Sequence, residues 1–234
     1  MSELRNQATD RADRILDAAG ALLLRLGYRK VTIQDIAEQA GIGKGTVYLH
    51  WRTREQLFQA LMLRESIGLV EELLDRLRED PAEIIPHRFV PASFLATLRR
   101  PLIVALLTGD TELLGRLMDT PLRSQELLAG ERFFALMTRH RLLRDDVPNL
   151  AYAMQAATTG FYLIDNLNAD VADLDRQAKA DALAHTIRHA FEPAAEPDPA
   201  VVAATASELS AVFEDLIASY RTWIYSHAQA PESG

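Results

Sequence analysis

The chain has 234 residues, of which 48% are hydrophobic and 25% are charged, and its formal net charge is −8. These values are typical of a globular protein with a core of its own. The absence of cysteine excludes a disulfide framework, a thiolate nucleophile and a zinc site of the finger type. The N-terminus begins with polar residues and no stretch reaches 18 apolar residues, so we expect a cytoplasmic protein without a membrane span.

Charge is unevenly distributed along the chain. Residues 1–55 hold nine basic and seven acidic residues, a balance of +2, whereas the other 179 residues hold 16 basic and 26 acidic residues, a balance of −10. This pattern favours a small anion-facing module in front of a larger acidic body. A balance of +2 in so short a window also arises by chance.

Two helices are predicted at the start of the chain. The first spans about residues 9–26, where apolar side chains fall on one stripe, and it stops at Gly27. The second begins after Thr32, whose hydroxyl forms an acidic variant of the capping box with Asp35. It ends at Gly41, where glycine permits the left-handed backbone of a tight turn.

A short third helix and a long fourth helix are predicted next. The third covers about residues 44–50, with Val47 facing inward. Thr53 caps the fourth helix, Gln56 completes its capping box, and the apolar stripe continues to about residue 79. At about 1.5 Å per residue this helix is about 40 Å long, which is enough to connect two domains.

The segment GIGKGT, residues 41–46, has the composition of a loop that binds nucleotide phosphates, but its context excludes that interpretation. A P-loop needs a glycine where this chain has Glu38 and a hydroxyl where it has Gly45. The dinucleotide pattern G-x-G-x-x-G fails at Thr46, and the preceding segment has the spacing of a helix. We therefore expect the lysine of this segment to meet phosphate of another kind.

Two short helices joined by a glycine turn and braced by a third form a helix-turn-helix, whose second helix enters the DNA major groove. The segment TIQDIAEQAGIGKGTVYLHWRTREQLFQAL closely resembles the N-terminal signature of the TetR family of bacterial repressors. That signature is T-x-x-x-I-A-x-x-A-G-V-S-K-G-T-L-Y-x-Y-F-x-[ST]-K-E. The matching positions are Thr32, Ile36, Ala37, Ala40, Gly41, Ile42, Lys44, Gly45, Thr46, Tyr48, Trp51, Thr53, Arg54 and Glu55.

The resemblance covers about 50 residues and beyond them implies only an architecture. It implies an all-α fold in which a helix-turn-helix DNA-binding domain, residues 1–55, is joined by a long helix to a larger helical domain for ligand binding and dimerisation, residues 56–230. We expect a regulator, most often a repressor, that binds a palindromic operator in double-stranded DNA as a homodimer. A small hydrophobic or aromatic effector is expected to release it.

Eight residues are expected to contact or position DNA: Thr32, Gly43, Lys44, Gly45, Thr46, Tyr48, His50 and Arg54. Lys44 begins the recognition helix and is expected to reach a phosphate or a base edge, the alternative being a solvated lysine. Thr46 and Tyr48 are expected to bond phosphates through their hydroxyls. For His50, a groove contact and packing against Trp51 are equally open.

Several positions in this segment depart from the family pattern. Gly43 replaces a serine that often caps the recognition helix, although glycine is a tolerable cap. His50 stands where tyrosine is common, and Arg52 replaces a frequent proline. Arg54 replaces the usual lysine and keeps a cation for phosphate, while Gly45 allows the backbone to approach DNA closely. Because of these departures the base preferences of the operator do not follow from the sequence.

Turn signals divide the chain beyond residue 80 into further helices. We predict them near 82–98, 100–108, 111–119, 121–143, 149–168, 175–191 and 199–227. A proline-rich connector is predicted at residues 192–200.

An aromatic cleft between these helices is expected to bind an apolar effector, and the alternative is a plain hydrophobic core. Asp165 and Asn166 are either polar handles of this cleft or an exposed helix end. The cleft residues are Phe89, Phe94, Phe133, Phe134, Met137, Phe161 and Tyr162.

Two predicted helices carry apolar stripes that suit a four-helix bundle between two copies of the chain. The alternative is that both stripes face the chain's own core. The stripes are Leu150, Met154, Ala157, Phe161 and Ile164 in one helix and Val202, Leu209, Phe213, Leu216, Tyr220 and Trp223 in the other. The strongest interface candidates are Met154, Phe161, Phe213, Leu216 and Tyr220.

Motifs of catalysis are absent: the sequence has no G-x-S-x-G and no H-E-x-x-H. Asp181, His185 and His189 share one helix face, but we expect that face to be solvated. We predict no catalytic residue, metal site or cofactor. The competing hypothesis is an all-helical enzyme or scaffold that uses its helix-turn-helix for protein contacts, because fold does not fix function.

Overall fold

A computed structural model describes residues 2–119, 122–167 and 173–226, and its regular secondary structure in those ranges is entirely helical. The predicted all-α fold is confirmed. The α-helices are α1 (Ser2–Leu26), α2 (Ile33–Ala40), α3 (Lys44–His50), α4 (Arg54–Glu79), α5 (Pro86–Leu98), α6 (Pro101–Thr108), α7 (Thr111–Leu114), α8 (Leu122–Arg139), α9 (Leu150–Leu167), α10 (Arg176–Phe191) and α11 (Pro199–Ser226). Two 3₁₀ helices cover Pro81–Ile84 and Gly115–Asp119.

Two predicted helices begin at other residues in the structure. Helix α1 begins at Ser2 rather than near residue 9, since no proline interrupts the polar turns before its apolar stripe. The segment expected as one helix over 82–98 is a 3₁₀ helix followed by α5. The break falls at Ile85, because Pro86 disfavours helical backbone in the residue before it.

The helix expected over 121–143 is shorter. Helix α8 ends at Arg139, and Arg141 has a φ of 55°, which an α-helix cannot continue. Residues 120 and 121, and the predicted helix ends at 168 and 227, lie outside the described residues.

The first predicted capping box is confirmed and the second is wrong in its second half. Thr32 Oγ1 accepts from the Asp35 amide at 3.2 Å, and Asp35 Oδ2 accepts from the Thr32 amide at 2.9 Å. Thr53 Oγ1 accepts from the Gln56 amide at 3.1 Å, as predicted. The Gln56 side chain, however, accepts from the Arg52 amide at 3.0 Å, one residue before the expected donor, the Thr53 amide.

One core runs through the molecule. In the head, which we define as α1–α3, it contains Ile15, Ile36 and Val47, all fully buried. It continues through Phe58 and Leu61 of α4 into the body, which we define as residues 54–226. Helix α11 packs along α4, and α10 packs on α5. Among the described residues no single helix combines the length and apolar content of a membrane crossing; α5 and α6 do so only as a pair bent by 111°.

A buried carboxylate joins α10 to the start of α5. The Glu192 side chain is 2% exposed and accepts from the backbone amide of His87. It also lies 2.9 Å from the His87 ring Nδ1 and accepts from Arg188 Nη1 at 3.0 Å. A carboxylate this buried depends on such partners for its charged form.

Replacing Glu192 by alanine should lower the free energy of unfolding by about 2 kcal/mol, because it removes the buried acceptor shared by the His87 amide and Arg188 Nη1. The estimate is below that for a fully buried pair, since Arg188 and His87 are both partly exposed. Glu196→Ala is the matched control: its carboxylate pairs with the same arginine but is 78% exposed, so a loss of less than about 0.5 kcal/mol is expected. Urea unfolding measures both, and equal losses would contradict the assignment.

Candidate nucleic-acid interface and effector site

The glycine turn sets α3 against α2. Gly41 ends α2 with a φ of 67°, in the left-handed region that glycine adopts without strain. Gly43 is the N-cap of α3 and has an extended backbone with a φ of −73° and no side-chain cap. The predicted turn and the start of the recognition helix are thus confirmed as local structure.

Helix α3 has one buried face and one exposed face. Val47 is fully buried, whereas Lys44, Gly45 and Tyr48 are exposed and Thr46 is partly buried. A Cβ added at Gly45 would meet nothing within 4 Å, so this glycine leaves open space on the outer face rather than relieving an internal contact. The structure therefore brings most of the predicted DNA-contacting side chains to one outer surface.

Leu49 is a surface residue that sequence reasoning missed. It lies on the outer face of α3 and is 61% exposed, although leucine is usually buried. Helical spacing indicates its exposure: because Val47 faces the core, the residues three and four positions later also face the core, and residue 49 faces outward. An apolar side chain here can contact a thymine methyl group in the major groove.

His50 lies in the core of the head, which corrects its assignment to DNA. It is 4% exposed and its ring lies 5.5 Å from that of Trp51, so the packing alternative holds. Its Nδ1 and the Trp51 Nε1 have no hydrogen-bond partner among the described residues. Burial, together with the positive charge of Arg11, lowers the pKa of His50 below its ordinary value.

Arg54 braces the head instead of pointing a free cation outward. Its Nη1 donates to the carbonyl of Val31 at 2.9 Å and to that of Tyr28 at 3.3 Å. Its guanidinium carbon also lies 4.1 Å from the centre of the Tyr28 ring, a cation–π geometry. These contacts favour an intramolecular role over the predicted phosphate contact. Thr32 is likewise committed locally, since its hydroxyl donates to Asp35 at 2.7 Å.

The predicted effector residues form two aromatic clusters on either side of α5. In one, Phe89 stacks on Phe133 at 4.7 Å between ring centres. In the other, Phe94 lies 6.2 Å from Phe161 in edge-to-face geometry and 5.0 Å from Tyr162. Phe89, Phe94 and the predicted Met137 are buried. The clusters are part of the packed core.

Asp165 is not a polar handle of these clusters. It is exposed near the end of α9 and forms a 2.7 Å ion pair with Lys179 of α10. The side chain of Asn166 lies outside the described residues.

Two surface grooves lie next to the clusters. One has a volume of about 500 Å³ and lies between the end of α8 and the start of α9, and of the predicted cleft residues it includes Phe134. The other, of about 300 Å³, lies between α5 and α10 and is lined partly by the paired charges of Arg76, Glu83 and Arg88. Both grooves are open to solvent, whereas small-molecule sites usually bury most of their ligand.

Three of the predicted dimer residues face the chain's own core. Met154, Phe213 and Tyr220 are buried within the single chain, so they are not free to contact a second copy. Leu216 and Phe161 are partly buried. This corrects the assignment, because the stripes on α9 and α11 are those that fold the protomer.

The outward face of α9 is exposed in the described part of the chain. It carries Tyr152, which is 77% exposed, followed at four-residue steps by Ala156, Gly160 and Ile164, all exposed and uncharged. On α10, His185 and His189 are also exposed, as expected, with ring centres 4.3 Å apart. No group of three or more potential metal ligands is present in the described part of the chain.

Sequence comparison agrees with the geometry of the head. Residues 15–61, from the middle of α1 into α4, match the family of bacterial regulatory proteins named after TetR. Residues 15–61 therefore form a TetR-type N-terminal domain. The match ends inside α4, so most of the body lies beyond it.

Individual relatives point to the same class of protein. The chain is 29% identical over 119 residues to the HTH-type transcriptional repressor KstR2 of Mycolicibacterium smegmatis, covering 50% of this chain and 56% of that protein. It is 33% identical over 100 residues to the HTH-type transcriptional regulator AlkX of Mycobacterium tuberculosis, covering 42% and 47%. To the HTH-type transcriptional regulator TtgR of Pseudomonas putida it is 30% identical over 82 residues, covering 35% and 38%. The chain thus spans about half the length of these relatives or less.

Acid should weaken the head through His50. In the unfolded chain His50 has its ordinary pKa of about 6.5, whereas in the folded head its pKa is lower. The unfolded chain therefore binds the proton more tightly, and stability is lost as the pH falls from about 6.5 towards the folded pKa. His50→Phe keeps an aromatic ring at this position and removes the proton site. Comparing urea unfolding of the two proteins between pH 8 and pH 5 (about the range over which histidine titrates) should show a steeper loss for the unaltered chain. Parallel curves would show that His50 does not carry the effect.

Proposed function

We propose that this protein is a TetR-family DNA-binding transcriptional repressor that binds a palindromic operator as a homodimer and is released by a small hydrophobic or aromatic effector. The observation that carries the proposal is the outer face of α3, which presents Lys44, Thr46, Tyr48 and Leu49 together in the segment that matches the family. In this proposal the DNA-binding domain is residues 1–55 and the second domain is residues 56–230. The named relatives are regulators, which favours this class over an enzyme or a scaffold.

The outer face combines phosphate-binding and base-contacting groups. Lys44 supplies a cation, and the hydroxyls of Thr46 and Tyr48 supply donors that position the protein on the backbone. Gly43 and Gly45 let the backbone approach the duplex, since neither projects a side chain. Leu49 supplies apolar contact to a base. Thr32 acts by capping α2, whose N-terminus can itself face a phosphate.

We place the dimer interface on the outward face of α9. Tyr152, Ala156, Gly160 and Ile164 follow one another at helical spacing and carry no charge. Small residues between two larger ones let two helices approach closely, and a second copy offers the same face in an isologous contact. A dimer is required by the proposal, because one recognition helix contacts too few bases for specificity.

We place the effector between α5, α8 and α9. The two aromatic clusters supply an apolar lining, and the groove at Phe134 adjoins Phe133 of the first cluster. An effector acts only as far as it binds the DNA-free state better than the bound state. Compounds that stabilise the protein and lower its operator affinity would identify the effector class.

Selection from a random pool of DNA duplexes tests the function most broadly. We expect enrichment of a palindromic sequence with half-sites about 10 base pairs apart or at a multiple of that spacing. Failure to enrich any sequence would contradict the proposal.

Lys44→Ala should weaken binding to the selected duplex and lower the slope of log K against log salt by about 0.9 per subunit, since one phosphate contact per subunit is lost. Arg132→Ala is the control, because it removes one exposed cation from α8. Fluorescence anisotropy across a salt series measures both slopes. An unchanged slope for Lys44→Ala would place its ammonium away from the backbone.

Ala156→Asp should yield monomers, because it places a carboxylate at the centre of the proposed interface and opposite its own copy. Ala211→Asp is the control, since Ala211 is an exposed alanine on α11. Light scattering after size exclusion gives the mass of each. A dimeric Ala156→Asp protein, or a monomeric control, would move the interface away from α9.

A further inference from the structure

The turn between α1 and α2 rests directly on the body. The Tyr28 amide donates to the Leu113 carbonyl of α7 at 2.8 Å. Tyr28 is buried, and the side of Gly115 where a side chain would project, directly after α7, faces the Tyr28 ring. A backbone hydrogen bond and a packing contact thus join the head to the body at one place.

Glycines on both sides permit this close approach. A Cβ at Gly115 would lie 3.0 Å from Tyr28 Cδ1, a contact so tight that the buried Tyr28 ring would have to shift by a few tenths of an ångström. A Cβ at Gly27 would lie 3.3 Å from the Glu112 carbonyl oxygen. Both glycines have positive φ, 75° for Gly27 and 52° for Gly115, so the backbone conformation favours glycine as well.

Tyr28 passes this contact on to the start of α2. Its ring lies under the Arg54 guanidinium and packs edge-on against Phe58 at 5.2 Å. Its hydroxyl donates to Glu55 at 3.2 Å. Arg54 in turn holds the carbonyl of Val31, the residue before the α2 cap. A displacement of α7 therefore reaches α2 through two side chains.

Further polar contacts between α1 and the body anchor α1. Arg64 of α4 donates to the Asp13 carbonyl at 3.1 Å and pairs with Asp17 at 2.8 Å. Tyr225 of α11 donates to the Asp13 carboxylate at 2.8 Å. These contacts anchor α1, whereas the Tyr28 contact lies at the entry to the helix-turn-helix.

We propose that Tyr28 is a positioning residue through which α7 sets the orientation of α2 and α3 on DNA. The proposal rests on the DNA binding proposed above and names how the body regulates it. Helix α7 packs on α6, and α6 packs on α9, which carries Phe161 of the second aromatic cluster. Changes at that cluster thus have a continuous packed path to the recognition helix.

The first test needs no DNA. Gly115→Ala places a methyl group against Tyr28, whereas Gly109→Ala also adds a methyl at positive φ but meets nothing within 4 Å. Hydrogen exchange followed by mass spectrometry should show faster exchange over residues 33–50 in Gly115→Ala than in Gly109→Ala. Equal exchange of the head in the two variants would overturn the proposal.

The second test uses the unaltered chain and so stands even where Gly115→Ala fails to fold. Binding of the selected duplex should slow amide exchange in residues 111–114, which the proposal places away from DNA. Exchange in α10 serves as the control for general stabilisation and should change less. If the chain binds the duplex but amide exchange slows equally in α7 and α10, the proposed DNA binding stands and the proposed coupling through Tyr28 is wrong.

Affinity supplies the third test. Gly115→Ala should bind the selected duplex about tenfold more weakly than Gly109→Ala, within the usual range of coupling between sites. Its salt slope should equal that of the control, since no phosphate contact is removed. Equal affinities, or a changed slope, would contradict positioning through Tyr28.

Discussion

The proposed interface depends on one constraint, the packing of Val47, His50 and Trp51 into the core of the head. Helix α3 has seven residues, and a helix this short is not stable by itself in water. Its conformation is therefore imposed by the core on one side. The same packing fixes which residues face outward, so that Lys44, Tyr48 and Leu49 share one surface. We expect any change that loosens this core to weaken the proposed DNA binding without touching a residue proposed to contact DNA.

The head could be predicted from the sequence because its signals are local. Thr32 and Asp35 lie three residues apart, and the capping box follows from that spacing. Gly41 adopts the left-handed conformation that a tight turn between two short helices requires. Where prediction failed, the competing contact came from a distant part of the chain. Arg54 bonds carbonyls 23 and 26 residues earlier, which no spacing rule indicates.

The body was harder to predict because an apolar stripe has the same period whether it faces a core or a second chain. The stripes through Met154 and Phe213 were assigned to an interface, and both residues are buried in the protomer. The candidate interface instead consists of small residues such as Ala156 and Gly160, which a search for large apolar residues passes over. Asp165 was misassigned for a related reason, because its partner Lys179 lies on another helix. The domain boundary and the effector site stay predictions.

Photocrosslinking from the outer face of α3 tests the central claim in a single measurement. Tyr48 lies on that face and is 43% exposed, whereas Ala211 is an exposed residue of α11, outside the proposed DNA-binding and dimer surfaces. The photoreactive residue p-benzoylphenylalanine can replace either one, and irradiation with the selected duplex then reports which surface meets DNA. We predict covalent protein–DNA adducts from position 48 and none above background from position 211. No adducts from position 48, or equal yields from the two positions, would contradict the assignment of α3 as the recognition helix.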